Sequence, residues 1–179
     1  MSQGIVRLFF ALWPTDDIRR AMWKTGARLQ DVWGGRRMKP DTLHMSLVFL
    51  GDTPAERLDE LRTLAARMQG RVHALSFRQA ACWRHNKVGY LSPEDTPPAL
   101  IQLVSALEEG LEAGGFRFDQ RPYKPHVTLL RNTRCTTQVM FEPIDWRPEE
   151  FVLVASDLTE HGPVYQLLGR WKLSSSPTP

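Results

Sequence analysis

Cysteine is scarce in this sequence, with two among 179 residues, Cys82 and Cys135. They stand alone with no C-x-x-C spacing, which suggests neither a zinc ribbon nor a disulfide scaffold. Long apolar runs are missing as well; none approaches the roughly 18 residues of a membrane span. The apolar stretch Leu8 to Trp13 is too short for a signal h-region and has no small-residue cleavage site. Neither a Walker motif, a G-x-G-x-x-G fingerprint nor a solenoid period is present, so the common nucleoside-triphosphate and dinucleotide folds are not expected. No sign of charge dominates: 23 Lys and Arg against 20 Asp and Glu leave a net +3, a balance that tolerates an anionic substrate without indicating one. A cytoplasmic, monomer-sized protein that is not embedded in a membrane is the expectation.

The 42% apolar content is enough for a globular core. Ile5 to Leu12 predicts a buried strand stopped by Pro14. Thr15-Asp16-Asp17 opens a helix whose apolar face is Ile18, Met22, Leu29 and Trp33, and Gly34-Gly35 ends it. The basic segment Arg36 to Pro40 leads to a second strand, Leu43 to Leu50, and Gly51-Asp52-Thr53-Pro54 reads as a turn capping the next helix. Leu58, Leu61, Ala65 and Met68 lie on one face of that helix. Two strands follow, Ala74 to Trp83 and Lys87 to Leu91, then a third helix burying Leu100, Leu103, Leu107 and Leu111 and closed by Gly114-Gly115. Strands at His126 to Leu130, Phe151 to Leu158 and Tyr165 to Leu173 complete the order. Strands and helices do not alternate strictly, which predicts an α+β fold with largely antiparallel sheets. Residues 1–173 are expected to form one domain and 174–179 a disordered tail.

One short pattern occurs twice. Leu43-His44-Met45-Ser46-Leu47 and Pro125-His126-Val127-Thr128-Leu129 both read His, apolar, hydroxyl, Leu, 82 residues apart. Alternation along a strand puts His44 with Ser46, and His126 with Thr128, on one face and the apolar residues on the other. Chance would produce such a pair on the order of once in a few thousand ordinary sequences. Two imidazoles with ordinary pKa values near 6.5 can supply one base and one acid near neutral pH. A hydroxyl beside each can donate to an oxygen where charge develops. Such a cradle suits in-line displacement at phosphorus. The motifs bring no carboxylate or thiolate ligands, so neither a metal nor another cofactor is expected.

The two His-x-[Ser/Thr]-x motifs, the segment RLFFAL followed by a proline, and the ending GPVYQLLGRWKL resemble the 2H (two-histidine) phosphoesterases. Within them, LHMSLVFLG at 43–51 and PHVTLLR at 125–131 are similar to the RNA 2′,3′-cyclic phosphodiesterases, historically called 2′-5′ RNA ligases. The resemblance implies a bilobal α+β fold, two largely antiparallel sheets flanking a central cleft with helices outside. It implies hydrolysis of a terminal RNA 2′,3′-cyclic phosphate to a 2′-phosphate, with reversible 2′-5′ RNA ligation as a further activity. His126 would be the proton acceptor, His44 the proton donor, and Ser46, Thr128 and Arg131 substrate-binding. Ser46 departs from the usual Thr, keeping the hydroxyl and losing a methyl. Alternative readings are a phosphodiesterase for small cyclic nucleotides or 2′-5′ oligonucleotides, and a nucleotide- or RNA-binding module without turnover.

Strand parity counts against Arg131, because five residues from His126 it would face away on a regular strand. Arg121, Lys124, Arg36, Arg37 and Lys39 could form a basic rim for RNA or be ordinary surface charge. Arg7 and Phe9 share a strand face that could border the cleft. Tyr123 reads as a packed loop anchor, with base stacking as the alternative. His73, His85 and His161 lack the motif context and read as structural or surface residues.

Overall fold

The computed structural model describes residues 4–71 and 74–174. Its strands and α-helices are β1 (Ile5–Leu12), α1 (Asp16–Trp33), β2 (Arg36–Arg37), β3 (Met45–Pro54), α2 (Leu58–Ala66), β4 (Leu75–Phe77), β5 (Gln79–Trp83), β6 (Val88–Ser92), α3 (Pro98–Ala113), β7 (Val127–Arg131), β8 (Ile144–Trp146), β9 (Glu150–Thr159) and β10 (Gly162–Lys172). Two four-stranded sheets carry the fold, in the orders β10-β9-β1-β3 and β2-β7-β6-β5, and β4 pairs with β8 in a small third sheet. Every ladder between these strands is antiparallel, in line with the α+β expectation.

One apolar cluster draws on both large sheets and all three helices, with Leu8, Phe10, Met22, Leu61, Leu91, Leu107, Leu129 and Leu153 among its members. A smaller cluster, Phe9, Ala11, Val152 and Val154, occupies the other face of the first sheet. Burial on both faces explains why β1 is continuously apolar from Leu8 to Leu12.

Four departures from the sequence reading have local causes. The run Ala74 to Trp83 is two strands, not one: the chain breaks at Arg78, so β4 and β5 belong to different sheets. Gly51 to Pro54 is not a turn but the end of β3, paired with Ile5 to Leu8. Gly51 takes φ 71°, a left-handed conformation that glycine adopts without strain, where the ladder shifts register. Cys82 and Cys135, read as solitary, are joined in a disulfide that ties β5 to the segment after β7. Their Cα atoms are 6.1 Å apart despite a sequence separation of 53, a proximity that only the tertiary fold creates. Finally, Ser174 is anchored: its N–H and its hydroxyl both donate to the Gly70 carbonyl, at 2.9 and 2.8 Å. The remainder of the expected tail, 175–179, and His73 lie outside the described residues.

Candidate active site

His44 and His126 line one cleft of about 350 Å³ between the two large sheets, together with Ser46, Thr128 and Arg131. The sequence-predicted residues therefore converge. Each histidine stands just before its strand, and each is held in the same way. His44 Nδ1 lies 2.7 Å from the Thr42 carbonyl, and His126 Nδ1 lies 2.7 Å from the Lys124 carbonyl. A carbonyl oxygen can only accept, so both rings carry their proton on Nδ1 when neutral, leaving Nε2 as the reactive nitrogen. Proline helps to shape both approaches: Pro40 starts the 3-10 turn ending at Thr42, and Pro125 favours extended backbone at Lys124.

Aromatic rings surround each imidazole. Trp13 stacks on His44 at 5.8 Å between centroids, Phe9 lies at 4.8 Å, and Tyr165 meets it edge-on at 5.3 Å. Trp83 approaches His126 at 4.6 Å and Tyr90 at 5.8 Å, both edge-to-face. These partners come from β1, β5, β6, β10 and the residue after β1; Phe9 lies on the strand face expected to border the cleft, and no local sequence signal marks the others. Desolvation by this packing pushes the His44 pKa down to about 4 against the pull of the Thr42 carbonyl, and the positive potential of His126 and Arg131 adds to the fall. His126 is also lowered, chiefly by burial and further by Arg131. Both rings are therefore neutral in the free protein at pH 7.

Arg131 reaches the cleft because the β6–β7 ladder slips by one residue. Gly89 pairs with Leu130, but Tyr90 pairs with Thr128, so Leu129 is extra. Leu129 and Leu130 are consequently both buried, and Thr128 and Arg131 point to the same side. The parity objection fails for this reason. The same slip occurs at the other motif: Phe10 pairs with Val48 and Ala11 with Ser46, leaving Leu47 extra and putting Phe49 on the cleft side with Ser46. Phe49 thus occupies on β3 the place that Arg131 occupies on β7. Gly35, at φ 87°, permits the close approach that brings β2 alongside Arg131; a Cβ there would lie 2.6 Å from the Arg131 carbonyl oxygen.

The expected basic rim is only partly available. The Arg37 guanidinium lies over the Trp23 ring, 3.8 Å from its centroid, and Arg121 is paired with Asp119. Lys124 lines a second groove that continues past His126 and Ser46, with Trp83 and His85. Tyr123 is a loop anchor, as its sequence context suggested: its hydroxyl donates to the Ser46 carbonyl at 3.2 Å. Arg7 lines the cleft, as its shared face with Phe9 suggested. Among the described residues, no group of three or more His, Cys, Asp or Glu side chains is arranged to hold a metal ion. Nor is any described helix long and apolar enough to cross a membrane.

A family model described as the 2′-5′ RNA ligase superfamily matches residues 16–160. The chain is 32% identical over 170 residues to the RNA 2′,3′-cyclic phosphodiesterase of Escherichia coli, spanning 94% of this chain and 97% of that one. To the protein of the same name from Thermus thermophilus it is 31% identical over 185 residues, spanning 94% and 90%. Among solved structures it is similar to Escherichia coli LigT complexed with 3′-AMP, with a TM-score of 0.84 and 31% identity over 96% of this chain and 99% of that one. This likeness bears out the bilobal fold that the motifs implied.

Proposed function

Because this chain belongs to the 2′-5′ RNA ligase superfamily, we propose that it is a metal-independent phosphodiesterase that opens terminal RNA 2′,3′-cyclic phosphates to 2′-phosphomonoesters. The observation that carries this reading is the pair of imidazoles in one cleft, each with Nδ1 tied to a backbone carbonyl, with Arg131 beside them. His126 takes a proton from water as the water oxygen attacks phosphorus. The bond from phosphorus to the 3′ oxygen breaks, and His44 gives that oxygen its proton. The products are a 2′-phosphate and a free 3′ hydroxyl, and proton exchange with solvent resets the two rings. Arg131, Ser46 and Thr128 hold the non-bridging oxygens, where charge accumulates in the transition state. The same pair would join ends through a 2′-5′ linkage when a 5′ hydroxyl replaces water: it gives its proton to His126 as its oxygen attacks the cyclic phosphate, and the 3′ oxygen again leaves with the proton from His44.

His44 begins neutral, so it must acquire its proton when substrate binds. A cyclic phosphodiester brings one negative charge into a poorly solvated cleft, and that charge raises both imidazole pKa values. The protein acts as a monomer on RNA in the cytoplasm. The direct test is an oligonucleotide ending in a 2′,3′-cyclic phosphate, incubated with the protein and EDTA. Conversion to a 2′-phosphate end is expected, with loss of turnover for His44→Ala and for His126→Ala. Binding without turnover would mean a nucleotide-binding module instead.

A further inference from the structure

The cleft contains a second cation that this mechanism leaves unused. Arg7 stands on β1, in the sheet opposite the one that carries Arg131, and lines the same cleft. Its guanidinium lies over the Phe49 ring, 4.9 Å from the centroid, which limits its freedom and holds it at the cleft wall. Among the described residues the ion pairs are made by Arg19, Arg57, Arg62, Arg78, Arg121 and Arg170, and neither Arg7 nor Arg131 is in one. Asp52 stands across the ladder from Arg7 and still makes no ion pair with it. Both cations act on one point in the cleft: burial raises the Tyr165 pKa, and Arg131 and Arg7 each pull it back.

Two guanidiniums without carboxylates in one cleft call for two anions. The reacting cyclic phosphate is a monoanion and accounts for Arg131. A nucleoside 2′,3′-cyclic phosphate offers nothing further. An RNA end does: one ribose away from the cyclic phosphate is the 5′ phosphate that links the terminal nucleotide to the rest of the chain. We propose that Arg7 binds this 5′ phosphate and thereby selects RNA ends over free nucleoside cyclic phosphates. The inference rests on the phosphodiesterase reading above and adds to it a second phosphate subsite.

The test is a comparison of affinities by calorimetry, using adenosine 3′,5′-bisphosphate and adenosine 3′-monophosphate at low salt. The native protein should bind the bisphosphate roughly tenfold more tightly, as expected of one charge-assisted contact. In Arg7→Gln the ratio should fall to about one, and Arg7→Lys should fall between, because a point charge replaces a fork. Arg7 is exposed, so its replacement removes no core packing, and a ratio of two ligands does not depend on the fraction of protein folded. Equal binding of the two ligands by the native protein, binding of neither, or a tenfold ratio that survives Arg7→Gln would overturn the proposal. Failure of the phosphodiesterase reading looks different: cyclic-phosphate-ended oligonucleotides would not be turned over, whatever the ratio.

Discussion

The Nε2 atom of His44 lies 3.1 Å from the Ser46 hydroxyl oxygen. Since Nδ1 already donates to the Thr42 carbonyl, Nε2 of the neutral ring accepts from Ser46. Protonation of Nε2 ends that arrangement and frees the Ser46 hydroxyl hydrogen for a phosphoryl oxygen. Ser46→Ala should therefore lower kcat on the order of 10²-fold with a smaller change in KM, and Ser46→Thr should keep most of the activity. Steady-state kinetics on a cyclic-phosphate-ended oligonucleotide would check this. An undiminished kcat for Ser46→Ala would remove the hydroxyl from the chemistry.

The lowered imidazole pKa values set a pH dependence. The proposed reaction needs one proton on the pair. In the free protein both groups titrate below 6.5, His44 at about 4, so that state fades as pH rises toward 7. The kcat/KM profile should therefore be a bell centred on the acid side of 6.5. Bound substrate is an anion and favours the protonated rings, which moves both limbs of the kcat profile to higher pH. Measuring the two profiles separately tests the sign; coincident bells would mean that the substrate's charge does not reach the imidazoles.

Acid and base can be separated with a substrate whose 3′ leaving oxygen is replaced by sulfur. A thiolate departs readily without a proton, so His44→Ala should recover much of its rate on this substrate while His126→Ala stays severely impaired. The opposite pattern would exchange the two roles.

In the proposed reaction Arg131 holds the phosphate. Arg131→Ala should reduce kcat/KM on the order of 10²-fold or more, and Arg131→Lys should restore only part of it, because a lysine cannot make the two parallel bonds of a guanidinium. Unchanged kinetics for Arg131→Ala would return this residue to ordinary surface charge.

The paired motifs were legible in the sequence because catalysis at phosphorus needs two proton-transfer groups and the chain spells the same strand pattern twice. Strand β1 and helix α3 were legible from apolar spacing alone. What escaped was set by contacts between distant segments. Nothing near His44 announces that Trp13 and Tyr165 will enclose it, and Ile144 to Trp146 is too short a strand to stand out from a polar loop. The run from Ala74 to Trp83 is continuous in composition, and its division at Arg78 depends on which neighbours each half finds. The Cys82–Cys135 bond has the same origin. Arg131 is the sharpest case, since simple alternation pointed it away and a single extra residue at Leu129 turned it back.

The matching slips at Leu47 and Leu129 make the two walls of the cleft near copies in backbone geometry, yet they end in unlike side chains, Phe49 on one and Arg131 on the other. A perfectly duplicated cradle would accept a phosphodiester equally well in either of two orientations and could not distinguish its two ester oxygens. The ring on β3 and the guanidinium on β7 make the two walls unequal along the line joining the imidazoles, and the cation on the β3 side is Arg7 of β1, which lies over that ring. A phosphate held by Arg131 would turn its charged oxygens toward β7, and the substrate would then enter one way round. Regioselectivity, the choice of which ester bond to break, can thus originate in one unequal pair of residues at equivalent positions.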